Sequence, residues 1–159
     1  MIQTTLIAEP GKQEYFMSVT FDAPRELVFK TYTDPNTIAE WWGPRRLTTT
    51  VDQMDVRKGG VWRYVQHDSK GNEYAFSGVY HESVAPERLV QTFEFEGMPG
   101  QAGLVVVTFE VLPGGKTKLT EQSIFPSLAA RDGVIQSGME AGAKELFERF
   151  AELLEKLQA

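Results

Sequence analysis

The chain has 159 residues, of which 42% are hydrophobic and 24% are charged, and this composition is typical of one globular domain. Its 16 basic and 22 acidic residues give a net charge of −6, which disfavours binding to nucleic acid or to an anionic membrane surface. The absence of cysteine excludes thiol catalysis, disulfides and cysteine-ligated zinc, and two histidines leave little for a histidine metal site.

The first predicted element is a half-buried strand, because apolar and polar side chains alternate over residues 15–21. A short helix is predicted next, over about residues 25–32, with Asp22 as its cap and a proline near its first turn. A second short helix is predicted over residues 38–42. The Gly-Pro pair at residues 43–44 ends it, since proline cannot continue a helix.

A series of β-strands follows the second helix. Stretches rich in valine, threonine and aromatic residues alternate with short breaks that contain glycine or proline, which is the pattern of strands joined by tight turns. Their order predicts an antiparallel meander. The predicted strands cover residues 51–56, 61–66, 74–84, 89–95, 104–111 and 117–125.

The last predicted element is one long helix, capped by Ser127, with apolar residues at helical spacing. No linker or internal repeat divides the chain, so we predict a single α+β domain over residues 1–159 with a core over about residues 15–157. The long helix is expected to pack on the concave face of the sheet. Its predicted apolar stripe consists of Ile135, Met139, Gly142, Leu146, Phe150, Leu153 and Leu157.

Several short motifs, in this order along residues 15–155, resemble the SRPBCC superfamily, which includes START and birch-pollen-allergen-like proteins. Within it they are similar to the branch named after the activator of heat-shock protein 90 ATPase. The resemblance implies a helix-grip fold, in which a curved antiparallel β-sheet wraps around a long C-terminal helix and two short helices follow the first strand. The motifs are Phe21-Asp22-Ala23-Pro24-Arg25-Glu26-Leu27-Val28-Phe29, Trp41-Trp42-Gly43-Pro44, Asp55-Val56-Arg57-Lys58-Gly59-Gly60-Val61-Trp62-Arg63-Tyr64, Gly78-Val79-Tyr80, Pro86-Glu87-Arg88-Leu89-Val90 and Gly138-Met139.

The fold implied by this resemblance has a cavity between the sheet and the long helix. Aromatic side chains of equal parity form rows on neighbouring predicted strands, and such rows either fill the core or wall an apolar pocket. Gly78 interrupts one row, which indicates a bend or a close approach. The predicted ligand-binding residues are Trp41, Trp42, Trp62, Tyr64, Phe76, Tyr80, Phe93, Glu121 and Met139.

The sequence leaves two features of this predicted pocket undecided. Adjacent residues on a helix point about 100° apart, so one of Trp41 and Trp42 is expected to pack inward and the other to lie at the rim, as a plug or as a gate. If Glu121 faces the pocket, desolvation raises its pKa. Leu119 and Ile124 both favour burial but have opposite parity, so the direction of Glu121 is undecided.

The leading functional hypothesis is a module that binds a hydrophobic or aromatic small molecule without chemistry. One alternative, which the resemblance alone implies, is a co-chaperone-like interaction domain that stimulates a heat-shock-protein ATPase. The other is a cyclase- or hydratase-type enzyme in which Glu121 or a tyrosine moves a proton. No catalytic residue, cofactor or metal is assigned, since neither a phosphate-loop motif nor a nucleophile elbow occurs.

The remaining expectations concern partners and location. The acidic balance predicts no nucleic-acid partner, and a chaperone partner is the less favoured possibility. No apolar run approaches the roughly 18 residues of a spanning helix, and the first residues lack a signal-peptide pattern. We therefore expect a cytoplasmic monomer or homodimer that does not insert into membranes.

Overall fold

The computed structural model describes residues 2–159, which form eight strands and four helices. The strands are β1 (Thr4–Ile7), β2 (Glu14–Phe21), β3 (Thr48–Met54), β4 (Val61–His67), β5 (Glu73–Val84), β6 (Arg88–Phe95), β7 (Gly103–Leu112) and β8 (Lys116–Ile124). The helices are α1 (Arg25–Tyr32), α2 (Ile38–Trp41), α3 (Leu128–Gln136) and α4 (Met139–Gln158).

The strands form one curved antiparallel sheet in the order β1-β2-β8-β7-β6-β5-β4-β3. Every strand from β3 to β8 pairs with its neighbour in the chain, while β2 crosses to pair with β8. Alternate side chains of β2 are buried, as a sheet with one covered face requires. The predicted α+β helix-grip fold, with its meander and its two short helices after a strand, is confirmed.

Two details near the N-terminus differ from the prediction. The short strand β1 precedes the predicted first strand and pairs antiparallel with β2 along the sheet edge. It is only four residues long, too short for a periodic pattern to stand out. Asp22 was predicted to cap α1, and this is wrong. Helix α1 begins after Pro24, whose backbone carbonyl accepts hydrogen bonds from the amides of Leu27 and Val28.

The prediction of one continuous helix after Ser127 is also wrong, because the structure has two helices there, α3 and α4. Ser127 caps α3 as predicted, with its Oγ accepting a hydrogen bond from the amide of Ala130 at 3.0 Å. Gly138 lies at the junction with φ of 87°, a left-handed conformation that breaks the helix and that glycine adopts at little cost. Leu157 is 50% exposed, so the buried stripe ends before it.

The buried residues of α4 all lie in its C-terminal half. There the helix buries four apolar residues against β2, α1 and α2, and each adds apolar area removed from water. Of the predicted stripe, Phe150 and Leu153 are buried, whereas Met139 and Leu146 are half-buried. The four residues are Phe147, Phe150, Leu153 and Leu154. Among residues 2–159, none of the helices combines the length and the hydropathy needed to cross a bilayer.

Candidate ligand-binding site

Glu121 points to the inner face of the sheet, which settles the direction that the sequence leaves open. In the ladder it stands opposite Met17 on one side and Val107 on the other, and both are fully buried. Leu119, on the same parity, is fully buried, while Ile124 on the other parity is half-buried. The carboxyl group of Glu121 therefore lies in an apolar setting beneath the helices.

Tyr32, at the end of α1, is the hydrogen-bond partner of Glu121. Its hydroxyl donates to Glu121 Oε2 at 2.5 Å. Its ring packs against Trp41, Phe109 and Phe150, with centroids 5.3, 5.5 and 6.2 Å away. Sequence reasoning missed this residue because 89 positions separate it from Glu121, and no local pattern brings the two together.

Burial and this hydrogen bond act in opposite directions on Glu121. Burial raises the pKa of its carboxyl group, and the Tyr32 hydroxyl partly offsets that shift by stabilising the carboxylate. The pKa of Tyr32 is itself raised well above its usual value, first by burial and then by the negative charge on Glu121. Burial, the larger influence, thus shifts the carboxyl group of Glu121 towards its neutral form.

Two further hydroxyl pairs line the inner face. Tyr15 and Ser123 are paired across β2 and β8, and burial raises the pKa of Tyr15 to about 12. Tyr64 donates from its hydroxyl to Met54 Sδ at 3.5 Å, and burial raises the pKa of both Tyr64 and Tyr80, that of Tyr80 to about 12. Both also raise the pKa of Tyr32 electrostatically. These hydroxyls and Glu121 form a polar band within an otherwise apolar interior.

The structure brings the predicted aromatic rows together on one face of the sheet. The ring centroids of Trp62 and Tyr64 are 4.8 Å apart, and Phe93 lies 5.6 Å from Trp62 and 5.6 Å from Phe76. Tyr80 is fully buried beside them on β5. Rows of equal parity on adjacent strands therefore do form a continuous aromatic wall.

Trp41 and Trp42 lie in two different environments. Trp41 is buried, with its ring centroid 4.7 Å from that of Phe150. Trp42 is half-buried and covers the aromatic wall, with its centroid 5.0 Å from Tyr64 and 5.2 Å from Phe76. The first is thus part of the core, and the second forms an edge of the aromatic wall.

The loop after α2, which carries Trp42, is fastened to α4 by two arginines. Arg149 donates from Nη1 to the carbonyl of Gly43 at 2.8 Å and from Nη2 to that of Ala39 at 3.3 Å. Arg45 pairs with Glu152 at 2.5 Å. These contacts hold Trp42 over the wall. No sequence pattern predicts them, because the partners lie more than a hundred positions apart.

Packing is looser between the sheet and the N-terminal half of α4. Apolar side chains on both sides of this region retain accessible surface, although all pack against the core, in contrast to the four buried residues of the C-terminal half. Met139, the predicted helix residue of the site, is among them. The half-buried residues are Trp42, Phe76, Phe93, Val105, Met139, Ala143 and Leu146.

Two surface grooves lie elsewhere on the molecule. One, of about 350 Å³, lies on the outer face of the sheet over Gly78, and Trp62 borders it. The other, of about 990 Å³, runs beside the C-terminal half of α4 and is bordered by Asp22, Glu148 and Glu155. Neither groove is bordered by Glu121 or Tyr32.

The Glu121→Gln variant is expected to be more stable than the wild type at neutral pH. Because the pKa of Glu121 is raised on folding, the folded chain binds more protons above the usual glutamate pKa, and stability falls as pH rises through that window. Glutamine does not ionise, so the variant does not lose this stability. The gain should grow by up to about 1.4 kcal/mol per pH unit in the window and vanish in acid below it.

Thermal unfolding of the two proteins across acidic to neutral pH measures this difference. The matched control is Glu110→Gln, since Glu110 is exposed on β7 and its change should leave the profile unaltered. A variant that is no more stable than wild type at neutral pH would show that burial does not disfavour the charge on Glu121.

Comparison with known proteins places the fold among solved structures. A model of the family described as Activator of Hsp90 ATPase homolog 1-like protein matches residues 22–155. Protein Ms6760 from Mycobacterium smegmatis is 22% identical, with a TM-score of 0.85 over 97% of this chain and 97% of that one. A protein from Arthrobacter aurescens is 23% identical, with a TM-score of 0.87 over 96% and 91%. The AHSA1 protein from Silicibacter pomeroyi is 22% identical, with a TM-score of 0.74 over 92% and 99%. A search of curated proteins gave no significant match.

Proposed function

The chain belongs to the activator of Hsp90 ATPase homolog 1-like family of the SRPBCC superfamily, and we propose that it binds a hydrophobic or aromatic small molecule between its sheet and α4. The helix-grip architecture is consistent with this role. The aromatic wall supplies apolar contact area, and the polar band supplies a few oriented hydrogen-bonding groups, which is the usual make-up of a ligand pocket.

The observation that carries the proposal is the accessible surface of Glu121 and Tyr32. Both residues retain some of it, although the neighbours that enclose them, Met17, Val107 and Phe150, are fully buried. We infer that this surface borders a space between the sheet and α4. A space lined by a carboxyl group and aromatic rings is suited to a ligand with both apolar and polar parts.

The Glu121 and Tyr32 pair also favours a second candidate, an enzyme of the cyclase or hydratase type. A buried acid beside a tyrosine is able to move a proton. In this pair, however, the tyrosine proton is already engaged by Oε2, and binding requires no rearrangement of it. Binding is therefore the better-supported function, and the co-chaperone alternative has only the family description behind it.

The proposal keeps the partner and location expectations of the sequence. The net charge of −6 disfavours nucleic acid, so a hydrophobic small molecule is the proposed partner. We propose a monomer or homodimer located in the cytoplasm. Binding a ligand inside one domain needs neither a second subunit nor a membrane.

The Ala143→Trp variant tests the proposal by filling the space beside α4. Ala143 is half-buried and packs against the core, so an indole at this position occupies the place proposed for the ligand. We expect affinity for the neutral fluorescent probe N-phenyl-naphthylamine to fall at least about tenfold, a loss of about 1.4 kcal/mol. Fluorescence titration measures it.

The matched control is Ala141→Trp, which adds the same indole on the exposed side of the same helix. It should bind the probe as the wild type does. If both variants had equal affinity for the probe, or if the wild type showed no saturable binding, the proposal of a ligand site between the sheet and α4 would be wrong.

A further inference from the structure

The free oxygen of Glu121 indicates which ligand chemistry the site selects. Resting on the proposed binding function, we propose that the ligand is an uncharged aromatic molecule carrying a hydroxyl or carbonyl oxygen, and that Glu121 hydrogen-bonds this oxygen. Tyr32 is the protein donor to this carboxyl group within residues 2–159, and it occupies Oε2. Oε1 is thus left for a group that enters from the space between the sheet and α4.

An anionic ligand does not fit this wall, because the guanidinium groups of Arg131 and Arg149 are engaged by other partners. Arg131, only 4% exposed, donates to the carbonyls of Glu9 and Glu14 and pairs with Asp132 at 2.7 Å. Arg149 donates to the carbonyl of Ala39 in α2 and to that of Gly43 in the loop after it. A ligand carboxylate beside Glu121 would lie in an apolar setting without a counter-charge, which is costly.

A cationic ligand fits less well than an uncharged one. It would need Glu121 to ionise between the apolar side chains of Met17 and Val107, where the hydroxyl of Tyr32 offsets only part of the cost of burial. The hydroxyls of Tyr15, Ser123, Tyr64 and Tyr80 extend the polar band with neutral groups. A neutral acid is able both to donate and to accept a hydrogen bond, so it matches a hydroxyl or a carbonyl equally.

The aromatic wall accounts for the other half of the proposed ligand. Trp42, Tyr64, Phe76 and Phe93 present rings at centroid separations of 5.0 to 6.4 Å, in edge-to-face and tilted arrangements. Aromatic pairs gain free energy beyond buried area in such geometries. A ligand ring entering beside them makes the same contacts while its oxygen reaches the polar band.

Four probes that share one naphthalene ring test the proposal: naphthalene, naphthol, naphthoate and naphthylmethylamine. Isothermal titration at neutral pH measures their affinities for the wild type. We expect naphthol to bind about three- to tenfold tighter than naphthalene, as one net hydrogen bond gives. Naphthoate and naphthylmethylamine should both bind more weakly than naphthol.

Two variants at Glu121 assign the preference to its carboxyl group. Glu121→Gln keeps a neutral donor and acceptor, so the naphthol preference should persist. Glu121→Leu should bind naphthol and naphthalene equally. The control is Glu110→Leu on the exposed face of the neighbouring strand, which should behave as wild type.

The possible results separate this inference from the binding function. If naphthalene binds but naphthol gains nothing, or if the preference survives in Glu121→Leu, the inference is wrong and the binding function stands. If naphthylmethylamine binds most tightly of the four and this affinity is lost in Glu121→Gln, the inference is wrong and the site selects a cationic ligand. If none of the four probes binds the wild type, the binding function fails and the inference fails with it.

Discussion

Replacing Phe150 with alanine is expected to lower the free energy of unfolding by about 3 to 5 kcal/mol, the range for a fully buried phenylalanine. The ring has no accessible surface and lies at the centre of the core. Its centroid is 4.7 Å from Trp41, 5.0 Å from Phe21 and 6.2 Å from Tyr32. Three large rings cannot close the space that it leaves, so both transfer free energy and packing are lost.

Chemical denaturation of wild type and variant measures this loss. Leu157→Ala on the same helix is the control, because Leu157 is 50% exposed and its truncation should cost no more than about 0.5 kcal/mol. If Phe150→Ala were as mild as this control, α4 would not be held by the sheet, and the helix-grip core described here would be incorrect.

Replacing Gly78 with alanine is expected to cost about 1 to 3 kcal/mol, the usual penalty for overpacking. A Cβ atom at this position would lie 2.0 Å from the carbonyl oxygen of Thr92 and 2.5 Å from Nε1 of Trp62. Those two atoms are themselves joined by a hydrogen bond of 3.1 Å, which ties Trp62 across β5 to β6. The added methyl group must push them apart.

Two measurements follow from this geometry. Denaturation should show the loss in stability, and the indole N–H resonance of Trp62 should shift as its hydrogen bond weakens. Gly142→Ala is the matched control. Gly142 lies inside α4 with nothing within 4 Å of an added Cβ, so alanine there should stabilise the chain by about 0.5 to 1 kcal/mol. If Gly78→Ala left the free energy of unfolding unchanged, β5 and β6 would not be in such close contact.

Much of the fold could be predicted because local patterns and long-range packing agree. Period-two alternation in β2, and the Gly- and Pro-containing breaks between strands, reflect a sheet with one buried face. The two features that were missed, β1 and the break at Gly138, depend on weak local signals. A four-residue strand shows little alternation, and a single glycine in an apolar stripe is compatible with a continuous helix.

The aromatic side of the candidate site was also predictable, since parity alone decides which face of a strand a ring occupies. The polar side was not. The hydrogen bond of Tyr32 to Glu121 joins α1 to β8, and the clamp of Arg149 joins α4 to the loop after α2. Such pairs arise from how elements pack in three dimensions, and a single sequence contains no period that records them.

Methionine methyl resonances offer the most direct test of where a ligand binds. Met139 lies at the start of α4 in the loosely packed region, and Met17 stands opposite Glu121, whereas Met98 is 61% exposed in the loop between β6 and β7. Titration of labelled protein with naphthol should shift the Met139 and Met17 methyl signals saturably and leave the Met98 signal in place. Saturable binding that shifts only Met98, with Met139 and Met17 unchanged, would contradict a ligand site between the sheet and α4.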